Sequence, residues 1–115
     1  MELCKIGAKI LKILVSITLF LITFLFLNSV HTTYHEETHL AVCKYFGYIN
    51  ASISYGFLRQ SGNYSCFNPQ INSDTFLLAQ SMVEIRGYHN ISFLFAFAII
   101  IALMITLIIF KNEHS

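Results

Sequence analysis

The 115-residue chain has no tryptophan, one proline and only 11% charged residues. An ordinary soluble domain carries about 25% charge. So few charges exclude a disordered acidic or basic tail. Five glycines exclude a collagen-like chain, and three cysteines are too few for a disulfide-dense secreted toxin. A formal net charge of +1 leaves no basic footprint, so no nucleic-acid partner is expected. What the chain does have is apolar bulk: 56% hydrophobic residues, with eleven Phe and six Tyr. A chain this short cannot coat that bulk with its own polar groups. The composition therefore predicts the lipid bilayer as a partner.

Two uncharged runs show where lipid would lie. Residues 13–30 hold eighteen residues without a charge, and residues 91–110 hold twenty. About twenty residues at 1.5 Å rise cross a hydrocarbon core of roughly 30 Å. The first run follows Lys5, Lys9 and Lys12, a pattern shared with signal peptides. Leu27-Asn28-Ser29 makes a poor cleavage site, so an uncleaved anchor is the expectation. Lys5, Lys9, Lys12 and Lys111 crowd the tails 1–12 and 111–115. The positive-inside rule then puts both termini in the cytoplasm and the 31–90 loop outside; Arg86 alone opposes it. The loop carries three N-x-S acceptor patterns, at Asn50, Asn63 and Asn90. Cys43 and Cys66 lie in it as well, and the sequence leaves a disulfide and two free thiols equally open.

Within the loop, Thr33 and Glu36 read as a capping box opening a helix over 34–46, with Gly47 as its left-handed stop. No Pro or Gly separates this helix from the first run, so the two can also be continuous. Apolar and polar residues alternate over 49–58, which predicts a half-buried strand. Ser61-Gly62-Asn63 is a turn signal, 64–67 a second strand, and Pro69 its end. Ser73 or Asn72 caps a second helix running to about Arg86, with Gly87 as a bend. The fold class expected is a mainly α membrane protein. It is a two-span transmembrane helical hairpin with a small α–β-hairpin–α outer loop domain.

The chemistry sits in His35-Glu36-Glu37-Thr38-His39. Residues four apart on a helix stack one turn above each other, so both imidazoles reach one metal ion. Glu36 projects from the adjacent edge and meets water rather than the metal. Zinc suits neutral imidazole and lowers the pKa of water to near 7, so Glu36 can act as general base.

This HExxH helix resembles the zincin metallopeptidases. The resemblance covers the five motif residues and the helix around them. It implies His35 and His39 as Zn2+ ligands, Glu36 as catalytic base, and a peptide or protein substrate. Val42 and Tyr45 stand where the metzincin branch needs Gly and His. Intramembrane zinc proteases carry the motif within a span and add an aspartate ligand in a later one. Here the motif follows the span, and Asp74 is the only aspartate. In the gluzincin branch the third ligand is a glutamate on a later helix, and Glu84 is the only loop glutamate outside the motif. His35 lies five residues past one run and Glu84 seven before the other, which puts both roughly 8–10 Å above the lipid at 1.5 Å per residue. Tyr88, one turn from Glu84, is the expected hydrogen-bond donor to the developing oxyanion, with His89 beside it. His31, Cys43 and Asp74 are weaker ligand candidates. The other class of function compatible with the sequence is a non-enzymatic membrane protein whose outer loop binds a partner, with structural zinc or none.

Overall fold

The computed structural model describes residues 2–67 and 73–111. Pro69 and Asn72, expected as a strand end and a helix cap, lie outside the described residues. The element order is α1 (Glu2–Tyr45), β1 (Ser52–Tyr55), one 3-10 turn (Phe57–Arg59), β2 (Gly62–Ser65) and α2 (Asp74–Phe110). Both helices are long and apolar enough to cross a membrane. Each contributes to two compact units, one comprising Asn28–Ser92 and the other the remaining residues.

α1 runs without a break from the tail through the motif, because nothing from Glu2 to Tyr45 interrupts helical bonding. The expected cap at Thr33 is therefore absent. Its hydroxyl donates instead to the Ser29 carbonyl one turn back, at 2.9 Å. The helix stops as expected at Gly47, which takes a φ of +77°. Ser73 caps α2, its Oγ accepting from the Phe76 amide at 3.2 Å. Gly87 does not interrupt α2, which continues through it.

In the unit holding the chain's two ends, α1 and α2 pack through aromatic rings. Phe95 meets Phe20 and Phe24 edge-on, with centroids 5.3 and 5.7 Å apart. Ala98 and Ala102 are buried in the seam. Most other large apolar side chains of these segments are exposed, among them Leu14, Ile17, Ile22, Phe26, Leu103 and Leu107. Thr18 and Thr106 return their hydroxyl protons to carbonyls one turn back, so the runs present no unsatisfied hydroxyl there.

In the Asn28–Ser92 unit, the two strands pair antiparallel in the register Ser52↔Ser65, Ile53↔Tyr64, Ser54↔Asn63 and Tyr55↔Gly62. β1 is shorter than the expected 49–58. Asn50 at φ 58° ends it on one side and Leu58 at φ 49° on the other, both turned out of the extended region. The turn falls at Gly56–Ser61, closed by the Gly56 amide on the Ser61 carbonyl at 2.9 Å, and Gly62 and Asn63 belong to β2.

The hairpin lies against α1. Three helix positions on one stripe, Glu36, His39 and Cys43, are buried. They meet three positions on one strand face: Gly62, Tyr64 and Cys66. Seven helical residues rise about 10 Å and four strand residues about 13 Å, a difference of about 3 Å that three side-chain contacts span. Gly62 has to be glycine, because a Cβ there would overlap the Glu36 side chain. Tyr64 stacks on the His39 ring with centroids 4.1 Å apart and planes 9° apart. Cys43 and Cys66 form a disulfide with Cα atoms 6.1 Å apart, which settles the choice the sequence left open. A hairpin folded away from the two helices, the simplest way to let them meet, is not what forms.

Candidate metal centre

His35 and His39 stack one turn apart on α1, as their spacing predicts, with rings perpendicular and centroids 4.6 Å apart. Their Nε2 atoms face each other at 3.2 Å. From α2, Glu84 enters between them: Oε1 lies 3.2 Å from His39 Nε2 and Oε2 lies 3.6 Å from His35 Nε2. All three potential ligand atoms fall within 4.8 Å of one another. Gly87, one turn after Glu84, lets the helices approach this closely, since a Cβ there would collide with the His35 ring.

The hydrogen-bond chemistry fixes which nitrogen of His39 is free. Gln80 is buried, one turn before Glu84 on α2. Its amide nitrogen donates to the His39 carbonyl at 3.3 Å and approaches Cys43 Sγ at 3.4 Å. A carbonyl only accepts, so the NH2 end of the amide must face it. The Gln80 oxygen therefore faces His39 Nδ1, and the two are hydrogen-bonded. Nδ1 therefore carries a proton, and in the neutral ring Nε2 is left with a lone pair that faces a carboxylate and a second imidazole. The three potential ligand atoms lie close enough together to hold a cation.

Glu36 stands beside this cluster with a different character. It is 6% exposed, and its Oε2 has no hydrogen-bond partner among the described residues. A buried carboxylate oxygen left in this state is costly unless water or a proton reaches it. Glu36, His35 and Glu84 line one open cleft of about 410 Å³, with Gln60 and Gly62 on the hairpin side and Tyr88 on the α2 side.

The other sequence-derived candidates separate clearly. Tyr88 lines the cleft but is 72% exposed. His89 and Asp74 are exposed, Asp74 in the first turn of α2 where the helix dipole favours an acid. Cys43 is committed to the disulfide. His31 sets its Nε2 3.3 Å from the Gly87 carbonyl. Burial first, and then the His35 ring, hold its pKa below the usual histidine value. His31 is thus favoured as a neutral ring donating to that carbonyl.

Tyr64, Gln80, Gly62 and Gly87 carry no motif, and their parts in the site were not read from the sequence. Burial, then Glu84, then Glu36 raise the Tyr64 pKa above the ordinary phenol value. Tyr64 accordingly keeps its proton and offers a donor where a third negative charge would be repelled. A signal existed only for Gln80: an amide one turn before Glu84 on an otherwise apolar face.

No family model, curated protein or solved structure matches the chain.

Proposed function

We propose that this chain is a membrane-anchored zinc metallopeptidase of zincin type, with His35, His39 and Glu84 as metal ligands and Glu36 as general base. The observation that carries it is the meeting of three ligand atoms, from residues as far apart as 35 and 84, at a cleft that His35 and Glu84 share with a buried Glu36. The residues fit zinc: two neutral imidazoles and one carboxylate make the donor set of a catalytic site. Zinc, when bound, supplies Lewis-acid polarisation of a peptide carbonyl and lowers the pKa of the attacking water.

The chain's own residues supply the rest. Glu36 lines the cleft, takes the proton of the attacking water on its carboxylate and passes it to the leaving amine. Tyr64 presses on His39 and holds that ring in place. Tyr88 lines the cleft and is the phenol that donates to the developing oxyanion. Gln80 holds the tautomer of His39.

Lipid covers the exposed apolar runs 13–30 and 91–110. The Lys-bearing tails lie in the cytoplasm and the 31–90 segment outside. The Cys43–Cys66 disulfide supports this sidedness, since it persists in an oxidising compartment.

The distances also fit a second reading. His39 Nε2 at 3.2 Å from Glu84 suits an imidazolium–carboxylate pair, the arrangement of a non-enzymatic protein without metal. Elemental analysis of the protein in lipid nanodiscs, with a peptide library read by mass spectrometry, separates the two. The peptidase binds one zinc per chain and cleaves. Glu36→Gln keeps the zinc and loses cleavage, because an amide cannot accept the proton. Absence of zinc with the fold intact refutes the metal site. Zinc without cleavage leaves the metal and removes the enzyme.

A further inference from the structure

The turn of the hairpin carries two large apolar side chains that the described residues of the unit leave exposed. Phe57 is 85% exposed and Leu58 60%. Leu58 and Arg59 both hold left-handed φ values, 49° and 54°, where bulky side chains are rarely found without a constraint.

The constraint is visible. Asn28 on α1 donates through its side-chain amide to the Gln60 carbonyl at 3.2 Å and to Gln60 Oε1 at 2.9 Å. Arg59 Nη1 donates to Thr33 Oγ1 at 3.4 Å. Arg59 also shares a surface hollow with Ser29, Val30 and Thr33. The turn is thus tied to the stretch of α1 where the uncharged run 13–30 ends. From there the hairpin extends along α1 to Cys43, so its apolar turn is the end held beside residues 28–33.

We propose that Phe57 and Leu58 form an interfacial anchor that inserts into the outer face of the lipid bilayer, with Arg59 at headgroup level. Aromatic and aliphatic side chains at the interface bury carbon among the acyl chains, while a guanidinium stays with the phosphates. The Asn28 and Arg59 contacts hold the turn at the depth where this is possible. The anchor would tether the hairpin whose Gly62 and Tyr64 meet Glu36 and His39. The inference rests on the membrane part of the function proposed above and is independent of zinc and of hydrolysis.

The chain has no tryptophan, so a single introduced one reports alone. Phe57→Trp, Leu58→Trp, Phe26→Trp and Tyr45→Trp are each placed in phosphatidylcholine nanodiscs. The lipids carry bromine either near the headgroup end or near the tip of the acyl chain. Phe26 lies inside the uncharged run. Tyr45 is exposed and lies seventeen helical residues beyond Asn28, about 25 Å along α1. The expected result is blue-shifted emission from the Phe57 and Leu58 probes, quenched more by shallow than by deep bromines. Phe26→Trp is quenched too, and Tyr45→Trp is not. If Phe26→Trp is quenched while both turn probes behave like Tyr45→Trp, the anchor is overturned and the membrane reading stands. If Phe26→Trp also escapes quenching, the membrane reading falls and takes the anchor with it. Turn probes shielded from bromine, but changed by diluting the protein in lipid, would show a second copy covering the turn and would likewise overturn the anchor.

Discussion

Replacing Gln80 with methionine isolates the residue that decides how His39 presents its lone pair. Methionine has similar length and no hydrogen-bonding amide. His39 is fully buried and Gln80 is 5% exposed, so water does not readily replace the lost oxygen. An unsatisfied buried donor costs about 1–3 kcal/mol. The metal-free variant escapes part of that cost. Its His39 can move the proton to Nε2 and donate to Glu84, 3.2 Å away. A cation must then displace that proton. The difference between free and bound protein is therefore about 1.4–2.8 kcal/mol, a 10–100-fold loss of zinc affinity, as found when ligand-orienting groups are removed elsewhere. The assay is chelator competition in nanodiscs, with nitrogen-detected histidine spectra of the metal-free protein. Wild type should show the Nδ1–H tautomer at His39 and the variant the Nε2–H form. Gln80→Glu keeps an acceptor for Nδ1 but loses the donor to the His39 carbonyl, so it should recover only part of the affinity. Unchanged affinity in Gln80→Met, or an Nε2–H tautomer in wild type, would refute the reasoning.

Three further outcomes follow from the same contacts. Glu84→Ala should weaken zinc binding strongly and Arg86→Ala hardly at all, because only Glu84 faces both Nε2 atoms; equal losses in a titration would place the effect in the helix rather than in the ligand. Replacing Cys43 and Cys66 together by alanine should speed amide exchange across the Ser52–Ser65 ladder about 100-fold, since the bond closes a span of 23 residues and such closure contributes about 3 kcal/mol; unchanged exchange would mean that packing alone holds the hairpin. Folding holds the His31 pKa below the ordinary histidine value of about 6.5, so the unfolded chain binds its proton more readily. Stability from this group is present above about pH 6.5 and is lost as pH falls through that value toward the folded pKa. Thermal melts of wild type should decline over that window more steeply than those of His31→Asn, and parallel curves would remove His31 as the cause.

The α elements and the pairing of His35 with His39 were legible because they follow from local periodicity. A helix puts residues four apart on one side whatever surrounds it. Glu84 was reachable by elimination, as the only other glutamate in the segment, and by counting helical rise. The strand limits were less legible. Alternation extends over 49–58, but left-handed residues at 50 and 58 confine pairing to Ser52–Tyr55. The Thr33 cap failed for a related reason: a capping box starts a helix only where the chain is not already helical.

By itself the sequence determined two long apolar runs, an HExxH stripe on a helix after the first, a glutamate on a helix before the second and a short polar–apolar hairpin between them. These are statements about neighbours along the chain and about composition. Only the tertiary structure decided that the hairpin lies on α1, that Tyr64 stacks on His39, that Cys43 meets Cys66, and that Gln80 turns the lone pair of His39 toward Glu84. Each of those joins residues more than twenty positions apart. The physical reason is that these pairings depend on how a strand advancing about 3.3 Å per residue is laid against a helix advancing 1.5 Å. Nothing in either segment's own pattern says which face of the other it will meet.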